Sequence, residues 1–300
     1  MVSRDTFSSC HPTVNFLYFG LVLLFTMCFE HPLARAVSLA GALCYDLYLN
    51  GRKAALFTLK YMLPMLLLTA IINPAFSHEG VTILRYLPSG NPLTLESILF
   101  GGASALMLVA VVLWFGCYNA VMTSDKFVYL FGRVIPALSL VLSMTLRFVP
   151  KFRAQLHAVN EAQRCVGRDV SDGSVLQRLK NGVTILSIML TWVLENAIET
   201  ADSMRGRGYG LPGRTAYSIY RFDERDKLTL LWLGFCGFTI IAAWIAKGFY
   251  WRWYPSVKFT PFYPLVVFFH LVYFALCFTP LFMNLYADHR WNKLKKGETL

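Results

Sequence analysis

Three hundred residues would suffice for two soluble domains. A hydrophobic content of 56%, a charged content of 15% and a mean hydropathy of +0.49 exclude that class and place the chain in a membrane. Its formal net charge of +11 then points to cytoplasmic loops and anionic headgroups rather than nucleic acid.

From the N-terminus, a short polar leader up to Asn15 precedes an apolar run, Phe16 to Phe29, and a second from Leu33 to Leu49. His31-Pro32 between them suits the turn of a two-span hairpin, since proline ends one helix and starts the next. This reading is preferred to a signal peptide cleaved after Ala34-Arg35-Ala36. Gly51-Arg52-Lys53 forms a basic loop before a third run, Ala54 to Ile72, which ends at Asn73-Pro74. The segment from Asn73 to Pro92 is rich in Pro, Gly and Asn and nearly neutral, so the positive-inside rule puts it outside and the basic loop inside. A fourth run, Leu95 to Met122, is long enough to cross with tilt and leads to Asp125-Lys126 and Arg133.

The next apolar segment, Val134 to Val149, is short, is bracketed by Pro136 and Pro150, and carries Arg147 in its last turn. If it crossed, the following stretch from Lys151 to Lys227, with twelve Lys or Arg and nine Asp or Glu, would lie outside with the basic C-terminus. Both would break the charge rule. It is therefore expected to lie along or dip into the cytoplasmic face, its apolar side turned to lipid or a partner. Two further runs, Leu228 to Lys247 and roughly Pro261 to Tyr286, complete six crossings with both termini inside. The aromatic stretch Phe249 to Tyr254 between them reads as an interfacial belt, and less readily as a cage for a ligand cation. The seven cysteines are scattered singly, without a C-x-x-C pair, and read as small core residues rather than staples or metal ligands.

The expected architecture is thus an all-α integral membrane protein of about six transmembrane helices with a cytoplasmic arm. Its parts are an N-terminal bundle over residues 1–133, an arm over 134–227, and a C-terminal helical pair with a basic tail over 228–300. In the arm, Phe152, Leu156, Val159 and Ala162 or Gln163 recur at helical spacing, and Gly167 is a natural terminator flanked by Arg164 and Arg168. A second helix is expected from Val175 to about Met204, with an apolar middle, Val183 to Leu194, too short to cross alone. Its acids Glu195, Glu199 and Asp202 precede Arg205 and Arg207, which suits a helix dipole, and glycines at 206, 208 and 210 break it. Arginine beside glycine at a helix tip can enter an acidic or carbonyl-lined groove of a partner, although a solvated cap would look the same. Its occurrence at two helix ends of one arm favours the partner reading.

Other chemistry fits poorly. Gly206, Gly208 and Gly210 lack the spacing and preceding strand of a dinucleotide loop, no P-loop is present, and the six histidines show no metal spacing. A membrane enzyme acting on lipid headgroups would have only Glu195, Glu199 and Asp202 to work with. A secondary transporter should show internal repeats and broken helices, and neither is evident.

At these residues the chain resembles a family: the transmembrane T component of energy-coupling factor transporters, the ABC-type importers of vitamins and of cobalt or nickel ions. The resemblance rests on Leu146-Arg147-Phe148-Val149-Pro150, on Ala162-Gln163-Arg164-Cys165-Val166-Gly167, and on Ser203-Met204-Arg205-Gly206-Arg207-Gly208-Tyr209 followed by Arg214-Thr215. Where the family carries arginine in the first helix end this chain has Val166, and in the second it has Arg207. The resemblance implies a non-catalytic subunit in the cell membrane with both termini cytoplasmic. It would carry no cofactor of its own, ATP and magnesium being held by two cytoplasmic ATPase subunits. Those subunits would grip Arg164, Cys165, Val166, Gly167 and Arg168 at one helix end and Gly206, Arg207 and Gly208 at the other. A separate small membrane protein that captures substrate would dock on Pro136, Leu140, Met144, Arg147, Phe148 and Pro150.

Overall fold

The computed structural model describes residues 5–77, 79–86, 92–132, 135–168, 174–212, 220–261 and 263–297. His78, Arg133, Val134, Arg214 and Thr215 of the sequence reading lie outside the described residues, as do the side chains of Pro136 and Lys296. Among those described, the helices are α1 (Pro12–Cys28), α2 (Pro32–Asn50), α3 (Arg52–Phe76), α4 (Leu95–Val121), α5 (Ser124–Gly132), α6 (Pro136–Cys165), α7 (Val175–Gly206), α8 (Glu224–Ile245) and α9 (Pro264–Gly297). Two short antiparallel hairpins accompany them, β1 (Ile83–Tyr86) with β2 (Pro92–Thr94) and β3 (Trp251–Arg252) with β4 (Lys258–Phe259).

The chain is an all-α integral membrane protein, as expected: α3, α4, α7, α8 and α9 are long and apolar enough to cross a bilayer. Four of these match expected crossings. Helix α1 is apolar but only 17 residues long, and α2, with 19, buries Arg35 and Asp46. Helix α7 has the expected extent, Val175 to Gly206, but it is long and apolar enough to count as a span, whereas the sequence reading takes its apolar middle, Val183 to Leu194, as too short to cross alone.

The chain divides into two compact units, Met1–Lys126 with Tyr220–Leu300, and Phe127–Ile219. In the first, α4 packs on α2 and α3, and α9 packs on α2 and α8. Small residues permit the close approaches. A methyl group on Gly101 would lie 2.7 Å from the Ala70 carbonyl, and one on Gly41 3.0 Å from Cys277 Cβ. The buried Trp114 indole donates to Ser38 Oγ at 2.9 Å, whose hydroxyl lies 2.6 Å from Thr26 Oγ1, itself 3.2 Å from the Tyr273 hydroxyl. This chain of hydroxyls ties α4, α2, α1 and α9 together in the buried centre of the bundle. Helix α3 widens to π geometry over Thr58–Met62, immediately before Pro64, whose missing N–H removes a rung of the ladder. Leu59, Leu63, Leu67, Leu68 and Ile71 on α3 stay exposed, which is the state of a lipid-facing surface.

Three local expectations are corrected. The third helix does not stop at Asn73-Pro74 but runs through Pro74 to Phe76. The segment after it is not all loop, since it contains the β1–β2 hairpin. The stretch Phe249 to Tyr254 is only partly a belt: Phe249 and Trp253 are buried, and Phe249 stacks on Phe29 with ring centroids 4.3 Å apart. The reason is the β3–β4 turn, which folds these rings over the bundle end against His31 and His270, themselves 4.7 Å apart.

At the other end of this unit, residues 5–11 are fastened to several helices. Phe7 N–H donates to Asn284 Oδ1 at 3.2 Å, Tyr45 hydroxyl donates to Asp5 Oδ2 at 3.0 Å, and His11 N–H donates to Asp226 Oδ1 at 3.1 Å. Buried Lys126 donates to the carbonyls of Ser8 and Val121. Desolvation pushes its ammonium pKa below the usual lysine value, partly opposed by Asp5.

Candidate coupling site

The second unit presents the charged helix ends. Sequence reasoning separated an interfacial segment, Val134 to Val149, from a helix beginning at Lys151. The structure instead has one continuous helix, α6, of 30 residues with Pro150 inside it. Proline at an interior position forfeits a hydrogen bond and crowds the preceding turn. Here contacts to α7 on both sides of it hold the helix together: Phe148 lies 5.6 Å from the Trp192 ring, and Lys151 Nζ donates to Asn196 Oδ1 at 2.8 Å while sitting 5.5 Å over Trp192.

Helix α6 ends at Cys165. Val166 is its C-cap at φ −91°, ψ 6°, and Gly167 follows at φ +77°. Gly167 N–H reaches the Arg164 carbonyl at 2.9 Å and Arg168 N–H the Gln163 carbonyl at 2.9 Å. Those two bonds with a left-handed glycine make a Schellman turn. Helix α7 ends the same way. Arg207 is its C-cap at φ −86°, ψ 9°, Gly208 follows at φ +72°, Gly208 N–H bonds the Arg205 carbonyl at 2.9 Å, and Tyr209 N–H bonds the Met204 carbonyl at 3.0 Å. Glycine is favoured at both places because a Cβ at that φ is strained against its own backbone.

The two ends are therefore alike in backbone and unlike in side chain. Val166 is 68% exposed, a largely uncovered apolar group where the other end presents a guanidinium. Arg164, Cys165, Arg168 and Arg207 are exposed as well, and Arg205 makes a loose 3.9 Å pair with Asp202. Each exposed C-terminal carbonyl turn is a natural seat for cations.

Arg207 also borders a cleft of about 610 Å³ between α6 and α7, together with Arg147, Lys151 and Glu199. Met144 and Phe148 line the same cleft, so three of the six residues assigned to substrate-protein docking fall beside a residue assigned to ATPase coupling. Leu140 is half-buried, Pro150 is exposed, and the side chain of Pro136 is not described. Sequence reasoning did not single out Trp192 or Asn196. Their only signal was an aromatic and an amide four residues apart, which shows one helix face but not its partner.

No family model matches the chain. Among curated proteins it is similar to the energy-coupling factor transporter transmembrane protein EcfT of Lactobacillus helveticus (strain DPC 4571), 35% identical over 97 residues, which make up 32% of this chain and 35% of that protein. The EcfT of Lacticaseibacillus paracasei is 38% identical over 93 residues, covering 31% and 35%, and that of Lactococcus lactis subsp. cremoris 33% over 95 residues, covering 31% and 36%. The chain thus spans about a third of the length of the curated relatives it matches. Over that third, the chain resembles the transmembrane T component of energy-coupling factor transporters, as its motifs indicated.

Proposed function

We propose that this chain is the transmembrane coupling subunit of an energy-coupling factor importer. It links two cytoplasmic ATPase subunits to a separate substrate-binding membrane protein, for ATP-driven uptake of a vitamin or a transition-metal ion. The observation that carries the reading is the pair of matching helix ends. Two long helices of one unit finish in the same turn, each offering a C-cap side chain and a fringe of arginines at an exposed tip.

Such a tip can transmit force. The Schellman turn fixes the position of the C-cap residue, and a helix behind it is stiff, so a partner that seats the tip moves the whole helix. Arg207 supplies a planar five-donor fork suited to an acidic or carbonyl-lined groove, while Val166 supplies apolar contact only. The two ATPase contacts are then unequal, with Arg164 and Arg168 the nearest cations to the Val166 tip. ATP and magnesium reside on the ATPases, so this chain contributes no catalytic group. The exposed apolar residues Leu138, Val141 and Val149 on α6 offer the substrate-binding protein a surface to dock on.

Co-purification from the native cell tests this reading. Two ABC-type ATPase subunits and a small membrane protein should accompany the chain. Recovery of the chain without any ATPase would remove the coupling role and bring forward a lipid-headgroup enzyme.

A further inference from the structure

Two adjoining cavities run between α8 and α9. The first, of about 400 Å³, is mainly apolar, bordered by Leu228, Trp232, Ala275, Phe282 and Met283 with Thr229 and Thr279 between them. The second, of about 510 Å³, begins at the same Met283 and is bordered by Arg225, Tyr286, Arg290, Trp291 and Leu294. The two cavities meet at Met283, and from one to the other the lining changes from hydrocarbon to two guanidiniums framed by aromatic rings. No carboxylate borders either cavity among the described residues. The acids adjoining lining residues in sequence are engaged elsewhere: Glu224 pairs with Lys227 at 2.6 Å, Asp226 accepts the N–H groups of His11 and Asp223, Asp5 accepts from Tyr45 and Asn284, and Asp288 accepts from the Tyr48 hydroxyl.

The depth of the change matches a bilayer. Residues 264–286 of α9 contain no Lys, Arg, Asp or Glu, a length of about 33 Å at the helical rise, close to a hydrocarbon core. Arg290 stands one turn beyond it. Arg225 sits in the first turn of α8, at the same level of the groove. Its two terminal nitrogens hold Ser9, at 3.2 and 3.3 Å, and its buried Nε has no hydrogen-bond partner.

We infer that this groove binds one anionic phospholipid, its phosphate between Arg225 and Arg290 and an acyl chain along Met283, Phe282 and Trp232. Charge selects the headgroup and the apolar cavity requires a tail, so a free phosphate ion satisfies only half of the groove. The lipid lies against the Ser9 contact of Arg225, and so against the fastened N-terminal segment.

Native mass spectrometry of the purified full chain, in detergent with equal amounts of phosphatidylglycerol and phosphatidylcholine, tests the assignment. The wild type should retain phosphatidylglycerol in preference. Arg290→Gln should weaken that preference about fivefold, and Arg225→Gln with Arg290→Gln about 25-fold, at roughly one increment per arginine near a headgroup. Met283→Trp, which fills the junction with both arginines intact, should lower retention of phosphatidylglycerol, while Lys258→Gln should leave it unchanged. Circular dichroism of each variant separates lost binding from lost fold, and Arg290, whose only assigned role is this groove, keeps the test open if Arg225 proves structural. No headgroup preference in the wild type, a preference that survives in the double variant, or displacement of the lipid by inorganic phosphate would each overturn it.

Discussion

Val166 and Arg207 occupy the same backbone position in two different helices. Each is the C-cap of a Schellman turn, with φ, ψ of −91°, 6° and −86°, 9°, and each is followed by a left-handed glycine. A C-cap in that conformation accepts any L-residue without strain, so the difference between them is one of side-chain chemistry. Val166→Arg is therefore expected to fold normally and, under the proposed coupling role, to strengthen the ATPase contact at that helix end. Complex recovery in raised salt measures this, since charged contacts weaken with ionic strength.

The glycines are a separate matter. Gly208→Ala places a Cβ at φ +72° and 3.1 Å from Leu211 Cδ1, at a cost of about 1–2 kcal/mol. Gly167→Ala meets nothing within 4 Å but bears the same backbone strain. Amide exchange at Tyr209 and Arg168, whose N–H groups close the two turns, should accelerate in the respective variants. Unchanged exchange would show that the turns are held by something other than glycine.

The helix ends were legible in the sequence because their signal is local: glycine, arginine and the end of an apolar period within a few residues. The crossing of α6 on α7 was not. Pro150 marked a boundary by every local rule, and the contacts that keep it inside a helix come from Trp192 and Asn196, more than 40 residues away. The ring cluster at the bundle end failed for the same reason. His31 and His270 meet only because α1, α2, α9 and the β3–β4 hairpin assemble, so Phe249 and Trp253 look like surface aromatics until the fold buries them. Of the six expected crossings, four coincide with helices long and apolar enough to span, since hydrophobic length is the quantity a bilayer selects, whereas α1 and α2 fall short of that measure and α7 meets it.

His31, between α1 and α2, carries a pH prediction. Burial, and then the neighbouring His270, push its pKa from 6.5 down to about 4. The unfolded chain takes up a proton near 6.5 and the folded chain only near 4, so this contribution to stability is complete above about 6.5 and declines as pH falls toward 4. The melting temperature of the wild type in detergent should fall between about pH 7 and pH 5, and His31→Gln should flatten that slope. Equal slopes in both would assign the effect to other groups.

Lys126 should matter through its hydrogen bonds. Lys126→Met leaves the carbonyls of Ser8 and Val121 without their charged donor, a loss of about 1–3 kcal/mol. Thermal unfolding measures the loss, and proteolysis near the N-terminus should quicken with it. A variant as stable and as protected as the wild type would mean that the N-terminal segment is held by its other contacts, with Tyr45, Asn284, Asp226 and Arg225.

The central claim is most directly tested by ATP hydrolysis in the reconstituted complex, comparing wild type with Arg207→Ala, Arg207→Glu and the Arg164→Ala, Arg168→Ala double variant. The coupling account predicts that Arg207→Ala weakens and Arg207→Glu abolishes substrate-dependent ATPase activity, and that the double variant weakens the contact at the Val166 end. Full coupling in Arg207→Glu would contradict it.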